Sequence, residues 1–176
     1  MKELSLNILD ITENSVKAGA TLTEIIVTEK GSELVISIKD NGSGMSEDVV
    51  KSVTDPFYTT RTTRKVGLGI PLFKLAAEQT GGRIEIFSDT GENHGTVISA
   101  YFNKNHLDFT PLGDVISSIL TLIQGHPEVD FIFIHSFDEK NVCLDTRELR
   151  SVLGDVPLST YEVLEWIRGY LEEQYC

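Results

Sequence analysis

This chain of 176 residues has few cysteines, few histidines and no long apolar run. Cys143 and Cys176 lie far apart in the sequence, which fits reduced cytosolic thiols better than a disulfide framework or a thiolate metal site. The four scattered histidines lack the spacing of zinc ligands. No apolar run approaches the roughly 20 residues of a membrane span, and the N-terminus lacks the pattern of a signal peptide. We therefore expect a cytoplasmic protein without a membrane segment.

Basic residues are also scarce, and the net charge is −12. Residues 1–106 hold 11 Lys+Arg and 14 Asp+Glu, a net −3, whereas residues 107–176 hold 4 and 13, a net −9. Because phosphate contacts need a basic surface, this charge argues against nucleic acid as a partner. The acidic C-terminal segment could face a basic partner, although a solvated surface is the simpler interpretation.

The apolar pattern predicts an α+β chain with a boundary near residues 104–106. In the first part it predicts helices over 2–18, 46–53 and 67–80 and strands over 23–29, 33–39, 83–88 and 96–102. In the second part it predicts a helix over 110–124, strands over 129–137 and 142–144, and a last helix that opens with a capping box at Ser159 and buries Trp166. With only about 70 residues, the second part is expected to pack on the first.

The first predicted helix carries a polar stripe at helical spacing, which consists of Glu3, Asn7, Asp10, Asn14 and Lys17. Asparagine is a mediocre helix former, so two asparagines in the middle of one face need an explanation. From the helix alone, a solvated face with one salt bridge and a functional site are equally good interpretations.

Residues 40–69 have the features of a nucleotide site. They open with Asp40-Asn41-Gly42-Ser43-Gly44 at a predicted strand end and close with Gly67-Leu68-Gly69 at a predicted helix start. A carboxylate beside glycine backbone can accept a hydrogen bond from a base that lies close to the chain. Free N–H groups at a helix start favour phosphate. Taken alone, the Asp40 segment would also fit a plain hairpin turn.

The order of these segments resembles that of the ATP-binding domain shared by sensor histidine kinases, anti-sigma serine kinases, DNA gyrase and the mismatch-repair ATPase. Residues 11–20, which include Glu13-Asn14-Ser15, resemble its first box, and Gly91-x-x-x-Gly95-Thr96 resembles its last glycine box. The likeness covers residues 1–103. It implies a two-layer α/β sandwich of the Bergerat type, with a mixed, mostly antiparallel sheet and helices on one face. The implied domains are an ATP-binding domain at 1–105 and an acidic α+β extension at 106–176.

The resemblance implies ATP and Mg²⁺ as ligands. Asn14 matches the family's magnesium ligand, and Asp10 matches the residue that orients or deprotonates the attacking water or hydroxyl. Lys17 matches a basic residue that reaches a phosphate, although solvent exposure explains it equally well.

The resemblance also implies how adenine is held. Asp40 matches the acceptor of the exocyclic amine of adenine, and Gly42 and Gly44 would let the base lie against the backbone. Thr96 matches a polar residue that lies close to this carboxylate and to the adenine, although threonine also suits an ordinary strand position.

The loop that contains Pro56-Phe57-Tyr58-Thr59-Thr60-Arg61 resembles the lid of the family. The implied phosphate contacts are Thr60, Arg61, Arg64, Lys65, Gly67, Leu68 and Gly69. Lys65 stands where related kinases usually have a glycine, and the lid is short, so closure over ATP could need a partner. No helical hairpin with a phospho-acceptor histidine precedes the domain in this sequence, and we therefore expect a separate partner protein.

His106 begins a stretch, His106-Leu107-Asp108-Phe109-Thr110-Pro111-Leu112, with the His, Thr, Pro and Leu spacing of a kinase acceptor box. It follows the ATP domain instead of preceding it and lacks the usual acidic residue after the histidine. The simpler interpretation is a linker histidine before a Thr-capped helix. If His106 is an acceptor, ATP should leave an acid-labile label on the chain that is lost in His106→Ala.

Two classes of function follow. The first is an ATP-dependent enzyme in signalling, either a magnesium-dependent ATPase or a kinase that transfers phosphoryl groups to a separate protein. The alternative is a non-catalytic module whose lid reports nucleotide state to a partner. Asp10 favours chemistry, because a sensor that does not turn over ATP has less use for a base.

Overall fold

A computed structural model describes residues 3–54 and 68–176. The helices in these ranges are α1 (Leu4–Lys17), α2 (Glu47–Ser52), α3 (Gly69–Glu78), α4 (Val115–Gly125), α5 (Thr146–Leu153) and α6 (Tyr161–Tyr175). The strands are β1 (Leu22–Lys30), β2 (Glu33–Asp40), β3 (Arg83–Asp89), β4 (Gly95–Asn103), β5 (Asp130–Phe137) and β6 (Lys140–Asp145). They form one six-stranded sheet in the order β3-β4-β2-β1-β5-β6.

The sheet is mixed and mostly antiparallel. β1 pairs with β5 in parallel, and the other neighbouring pairs are antiparallel. Alternate residues of β2 and β4 are buried, as expected of strands with one covered face. Helices α1 and α3 lie on that face and contribute the fully buried Ile8 and Phe73 to the core. The predicted fold class is confirmed.

The C-terminal segment continues the same sheet. The parallel register of β1 and β5 runs from Leu22 opposite Asp130 to Glu29 opposite Phe137. Phe131 and Leu144 belong to the same hydrophobic core as the first part of the chain. The extension therefore packs on the first part as predicted, and the division into two domains at residue 105 stays a prediction.

A buried polar contact fastens α6 to the sheet. Nε2 of His135 donates to Glu29 Oε2 at 2.6 Å, and the Tyr175 hydroxyl lies 2.7 Å from Nδ1 of the same ring. Glu29 also accepts from Lys104 Nζ at 3.1 Å. Burial raises the pKa of Tyr175, so its hydroxyl keeps the proton that it donates to the ring.

Three local predictions in the C-terminal segment are wrong. Trp166 is 54% exposed rather than buried. The Thr160 hydroxyl donates to the Pro157 carbonyl and does not cap α6, so the predicted capping box does not form. Helix α4 begins at Val115, where the Asp114 side chain accepts from the Ser117 N–H, and not at residue 110.

The start of α4 at Val115 instead of residue 110 has a cause in the tertiary structure. The carbonyls of Pro111 and Leu112 accept the N–H groups of Leu4 and Ser5 at 2.9 and 2.8 Å. The carbonyls of residues 111–112 thus serve as acceptors for the start of α1, whose free N–H groups need partners.

In the described part of the chain, no helix combines the length and apolar character that crossing a membrane requires.

Candidate functional site

The polar face of α1 brings three predicted site residues together. Asp10, Asn14 and Lys17 line a small cavity of about 260 Å³ whose opposite wall is the start of α3. Asp10 and Asn14 are half-buried, whereas Lys17 is exposed. The other two members of the predicted stripe lie elsewhere: Asn7 is buried, and Glu3 accepts the Asp114 N–H at 3.1 Å.

The environment of Asp10 favours its protonated form. Burial raises the pKa of this carboxyl, the negative charge of Glu13 raises it further, and the positive charge of Lys17 opposes both. A carboxylate that is harder to ionise is a stronger base once ionised. The pKa of Asp10 is thus shifted in the direction that suits a general base.

The Asp40 carboxylate is held rigidly at the end of β2. Its Oδ1 accepts the Gly42 N–H at 2.8 Å, and its Oδ2 accepts the hydroxyl of Ser15 at 2.7 Å. Ser15 is buried in α1 directly after Asn14. Each carboxylate oxygen has a further lone pair, so the group retains capacity to accept a hydrogen bond from a ligand.

Glycines permit the tight backbone packing next to Asp40. Gly44 has a φ of +78°, and a Cβ there would lie 1.9 Å from the Asp89 carbonyl oxygen. A Cβ at Gly42 would lie 2.9 Å from that of Ala18. Real side chains do not make contacts this short, so both positions require glycine on steric grounds.

A hydroxyl pair supports this corner of the sheet. Thr96 is opposite Asp40 in the register of β2 and β4, and its hydroxyl lies 2.7 Å from that of Ser88. The Ser88 hydroxyl also accepts the Met45 N–H at 2.7 Å. This network ties the glycine loop to the β3–β4 hairpin.

Asn14 and Asp40 line one cavity, of about 200 Å³, together with Ser15 and Thr96. The rest of its wall is mostly apolar and consists of Ile11, Ala18, Gly44, Met45, Val53, Ile70 and Ile98. An apolar slot with one fixed carboxylate suits a flat heterocycle that carries an amine. Asn14 also lines the polar cavity of Asp10 and Lys17, so the two cavities adjoin at this residue and together make up the candidate cleft.

A larger cavity of about 690 Å³ lies beside the β3–β4 hairpin. The charged residues in its lining include the amine of Lys39 and the carboxylates of Glu24, Asp40, Asp89 and Glu92. Asp10, Asn14 and Lys17 do not line this cavity, and we therefore place the candidate site in the cleft of Asn14.

The remaining predicted contacts divide into two groups. Gly69 is buried at the first turn of α3, where a Cβ would lie 3.5 Å from Asn14 Nδ2, and Leu68 is 43% exposed just before that turn. The predicted lid contacts Thr60, Arg61, Arg64, Lys65 and Gly67 lie outside the described residues.

His106 is exposed, and its Nδ1 accepts the Asp108 N–H at 3.0 Å. Its phosphorylation stays a prediction.

Sequence reasoning missed three supporting residues. Ser15 and Ser88 each hold a predicted site residue through a hydroxyl. His94 Nδ1 donates to the Gly42 carbonyl at 2.6 Å. Of these three residues, only Ser15 could have been found from the sequence, because serine is unfavourable inside a helix and this one directly follows Asn14.

Comparison with known proteins identifies the family. The model of the histidine kinase-, DNA gyrase B- and HSP90-like ATPases matches residues 2–106. The chain therefore belongs to this ATPase family, as the sequence motifs predicted.

The curated relatives are much longer proteins. The sensor protein KdpD of Clostridium acetobutylicum is 36% identical over 90 residues, which are 48% of this chain and 10% of that protein. Sporulation kinase E of Bacillus subtilis is 37% identical over 101 residues, which are 55% of this chain and 13% of that protein. The chain thus matches a small part of each relative.

Solved structures support the fold over a longer range. The ATPase domain of Aquifex aeolicus MutL, solved with ADP, has a TM-score of 0.56 at 15% identity and covers 96% of this chain and 88% of that one. The N-terminal domain of a DNA repair protein has a TM-score of 0.59 at 16% identity, with 88% and 58% covered. The similarity to MutL therefore includes the C-terminal segment.

Proposed function

We propose that this chain binds ATP with Mg²⁺ in the cleft between α1, β2 and α3 and catalyses phosphoryl transfer from it. The observation that carries the proposal is the shared cavity of Asn14 and Asp40, in a chain of this ATPase family. The MutL ATPase domain with the same fold was solved with ADP, which supports an adenine nucleotide.

Each end of the cleft has a role in this proposal. Asp40 accepts the exocyclic amine of adenine, and because its carboxylate only accepts, it selects adenine over guanine, which presents an oxygen there. Gly42 and Gly44 keep the adjoining backbone free of side chains. At the polar end, Lys17 faces the phosphates.

The polar end also fits a magnesium ion. Asn14 provides an amide oxygen, and oxygen ligands are those that this cation prefers. Bound Mg²⁺ would supply neutralisation of the phosphate charge. The oxygen of the attacking water or hydroxyl bonds to the terminal phosphorus while the bond from that phosphorus to the leaving diphosphate oxygen breaks. Asp10 takes the proton that the attacking oxygen loses.

We further propose a cytoplasmic signalling role with a separate protein as partner. Cytoplasm supplies ATP, and both cysteines are exposed and unbridged, as reduced thiols would be. The relatives named above as a sensor protein and a sporulation kinase support the signalling role.

The proposal is tested by measuring phosphate release from ATP by the purified chain, with and without magnesium. The wild type should hydrolyse ATP slowly and only with magnesium. Asp10→Asn should lower the rate by about 10²- to 10⁴-fold, the contribution of a general base, and should leave ATP affinity near that of the wild type.

The matched control is Asp138→Asn, the same change on an exposed turn with a φ of +53° that asparagine also tolerates. Its rate should equal that of the wild type. ATP binding without hydrolysis by the wild type, or hydrolysis by Asp10→Asn at the wild-type rate, would contradict the proposed enzyme and favour the sensing module.

A further inference from the structure

The surface between α5 and α6 contains an apolar groove that the nucleotide site does not use. The groove has a volume of about 440 Å³ and is lined by Leu149, Val152, Leu153, Glu162, Val163 and Trp166. It shares no residue with the cleft of Asn14 and Asp40. Val152 is 84% exposed and Trp166 is more than half exposed, so an apolar side chain on each helix faces solvent.

Two exposed aromatic side chains beside the groove stack on each other. Trp166 and Tyr170 stack with ring centroids 5.0 Å apart and an angle of 11° between the rings. They are one helical turn apart on α6, and both are substantially exposed. Stacked, pre-ordered aromatic rings lose little conformational entropy on binding and are enriched among the residues that dominate interface energies.

Gly169 adjoins this aromatic pair on the exposed side of α6. Glycine inside a helix is less favourable than alanine, yet a Cβ at this position would meet nothing within 4 Å. No described part of the chain needs a glycine there. The absent side chain leaves room for the backbone of another element to cross α6 beside Trp166.

The groove has an acidic rim. Glu162 precedes Trp166 by one turn, and Glu173 follows Tyr170 by nearly one turn, so carboxylates flank the aromatic pair. The arginines of α5 are already paired, Arg147 with Asp145 at 2.8 Å and Arg150 with Asp130 at 2.7 Å.

The charge around the groove limits the choice of partner. Residues 146–176 contain three Lys+Arg against six Asp+Glu, a net −3. A second copy of this chain would bring like charges together, which disfavours self-association through this surface. A partner with basic side chains on either side of an apolar strip would instead complement both features.

We propose that this groove binds an amphipathic helix of a separate protein, with apolar side chains against Trp166 and Lys or Arg side chains against the glutamates. Such helix-in-groove recognition uses apolar side chains at i, i+3 and i+4. The partner helix crosses α6 at Gly169. The inference does not depend on nucleotide binding, and its test contains no nucleotide.

The test selects from a helical peptide library against the immobilised full chain. One face of the peptides varies among leucine, isoleucine, phenylalanine and alanine, and the flanking positions vary among lysine, arginine, glutamate and glutamine. The selected peptides should carry apolar residues at i and i+3 or i+4 and should be enriched in lysine and arginine at the flanks. Equal frequencies of glutamate and lysine there would overturn the proposal.

Fluorescence anisotropy with a selected peptide then locates the site. Trp166→Ala should weaken binding by at least about 30-fold, as truncation of a central interface residue does. Gly169→Leu should weaken it by at least about tenfold without lowering the melting temperature, because leucine favours the helix. Thus lost binding cannot be attributed to unfolding.

The matched control is Phe87→Ala, which removes another exposed aromatic side chain, on β3. It should leave peptide affinity unchanged. Equal loss in Phe87→Ala and Trp166→Ala would show non-specific attraction to exposed aromatic side chains and reject the groove. A dimer of the wild-type chain that Trp166→Ala dissolves would assign the groove to a second copy and also overturn the proposal.

Discussion

Substitution of Asp40 by asparagine examines the adenine end of the proposed site. In the wild type, Oδ1 accepts the backbone N–H of Gly42 and Oδ2 accepts the Ser15 hydroxyl. A backbone N–H can only donate, so the amide oxygen of the introduced asparagine must take the place of Oδ1. The amide NH₂ group then takes the place of Oδ2, where the Ser15 hydroxyl can rotate to accept from it.

The expected magnitude follows from this geometry. The amine of adenine would meet an NH₂ group instead of a carboxylate oxygen, and one hydrogen bond to a charged acceptor would be lost. Such bonds contribute about 1.5–3 kcal/mol, which corresponds to a loss of about 10- to 150-fold in ATP affinity. The fold should persist, since both protein hydrogen bonds of the side chain can re-form.

Calorimetric titration with ATP measures the effect, and circular dichroism checks the fold. Asp138→Asn, which makes the same change in charge on an exposed turn, should bind ATP as the wild type does. An Asp40→Asn variant that is folded and binds ATP within about twofold of the wild type would refute the assigned role of Asp40.

Three further predictions concern stability. The native pKa of Asp10 is raised, so the stability of the wild type falls as the pH rises above about 4, the ordinary pKa of aspartate, and this group ionises. Asp10→Asn avoids that loss, so its melting temperature relative to the wild type should rise over the same pH range, and a constant difference would contradict the prediction. Gly44→Ala combines a φ of +78° with a backbone clash and should lower the free energy of unfolding in urea by at least about 2 kcal/mol. The control Gly31→Ala, with φ +59° and open space, should cost only about 1 kcal/mol, and equal losses would refute the steric argument. Tyr175→Phe removes the hydrogen bond to His135 and should cost about 1 kcal/mol, whereas a neutral result would show that this contact does not stabilise α6.

The first part of the fold was predictable because its signals are local. The β1–β2 hairpin follows from two alternating apolar runs around a glycine turn. The helix predicted over 46–53 is α2, and Ser46, a residue type that favours helix starts, caps it by accepting the Val49 N–H. The pairing of β5 with β1 was not predictable in the same way. It joins residues more than a hundred positions apart, and nothing in either strand alone specifies its neighbour.

The errors in the C-terminal segment have the same origin. Tryptophan is usually well buried in a monomer, so apolar patterning assigned Trp166 to the core, but Val163, Ile167 and Leu171 fill that face of α6. Helix α5 was missed because its eight residues are mostly polar. At the candidate site, the family resemblance implied that Asn14 and Asp40 hold one ligand, whereas the Ser15 hydrogen bond that fixes Asp40 depends on tertiary packing.

In the proposed function, one cleft holds adenine at the Asp40 end and the phosphates with their cation at the Asn14 end. Calorimetric titration of the wild-type chain with ATP and GTP, each with and without magnesium, tests this most directly. We expect one ATP per chain, GTP binding weaker by at least about tenfold, and a magnesium dependence of ATP affinity that Asn14→Ala removes. Absence of saturable ATP binding, or equal affinities for ATP and GTP, would contradict the account.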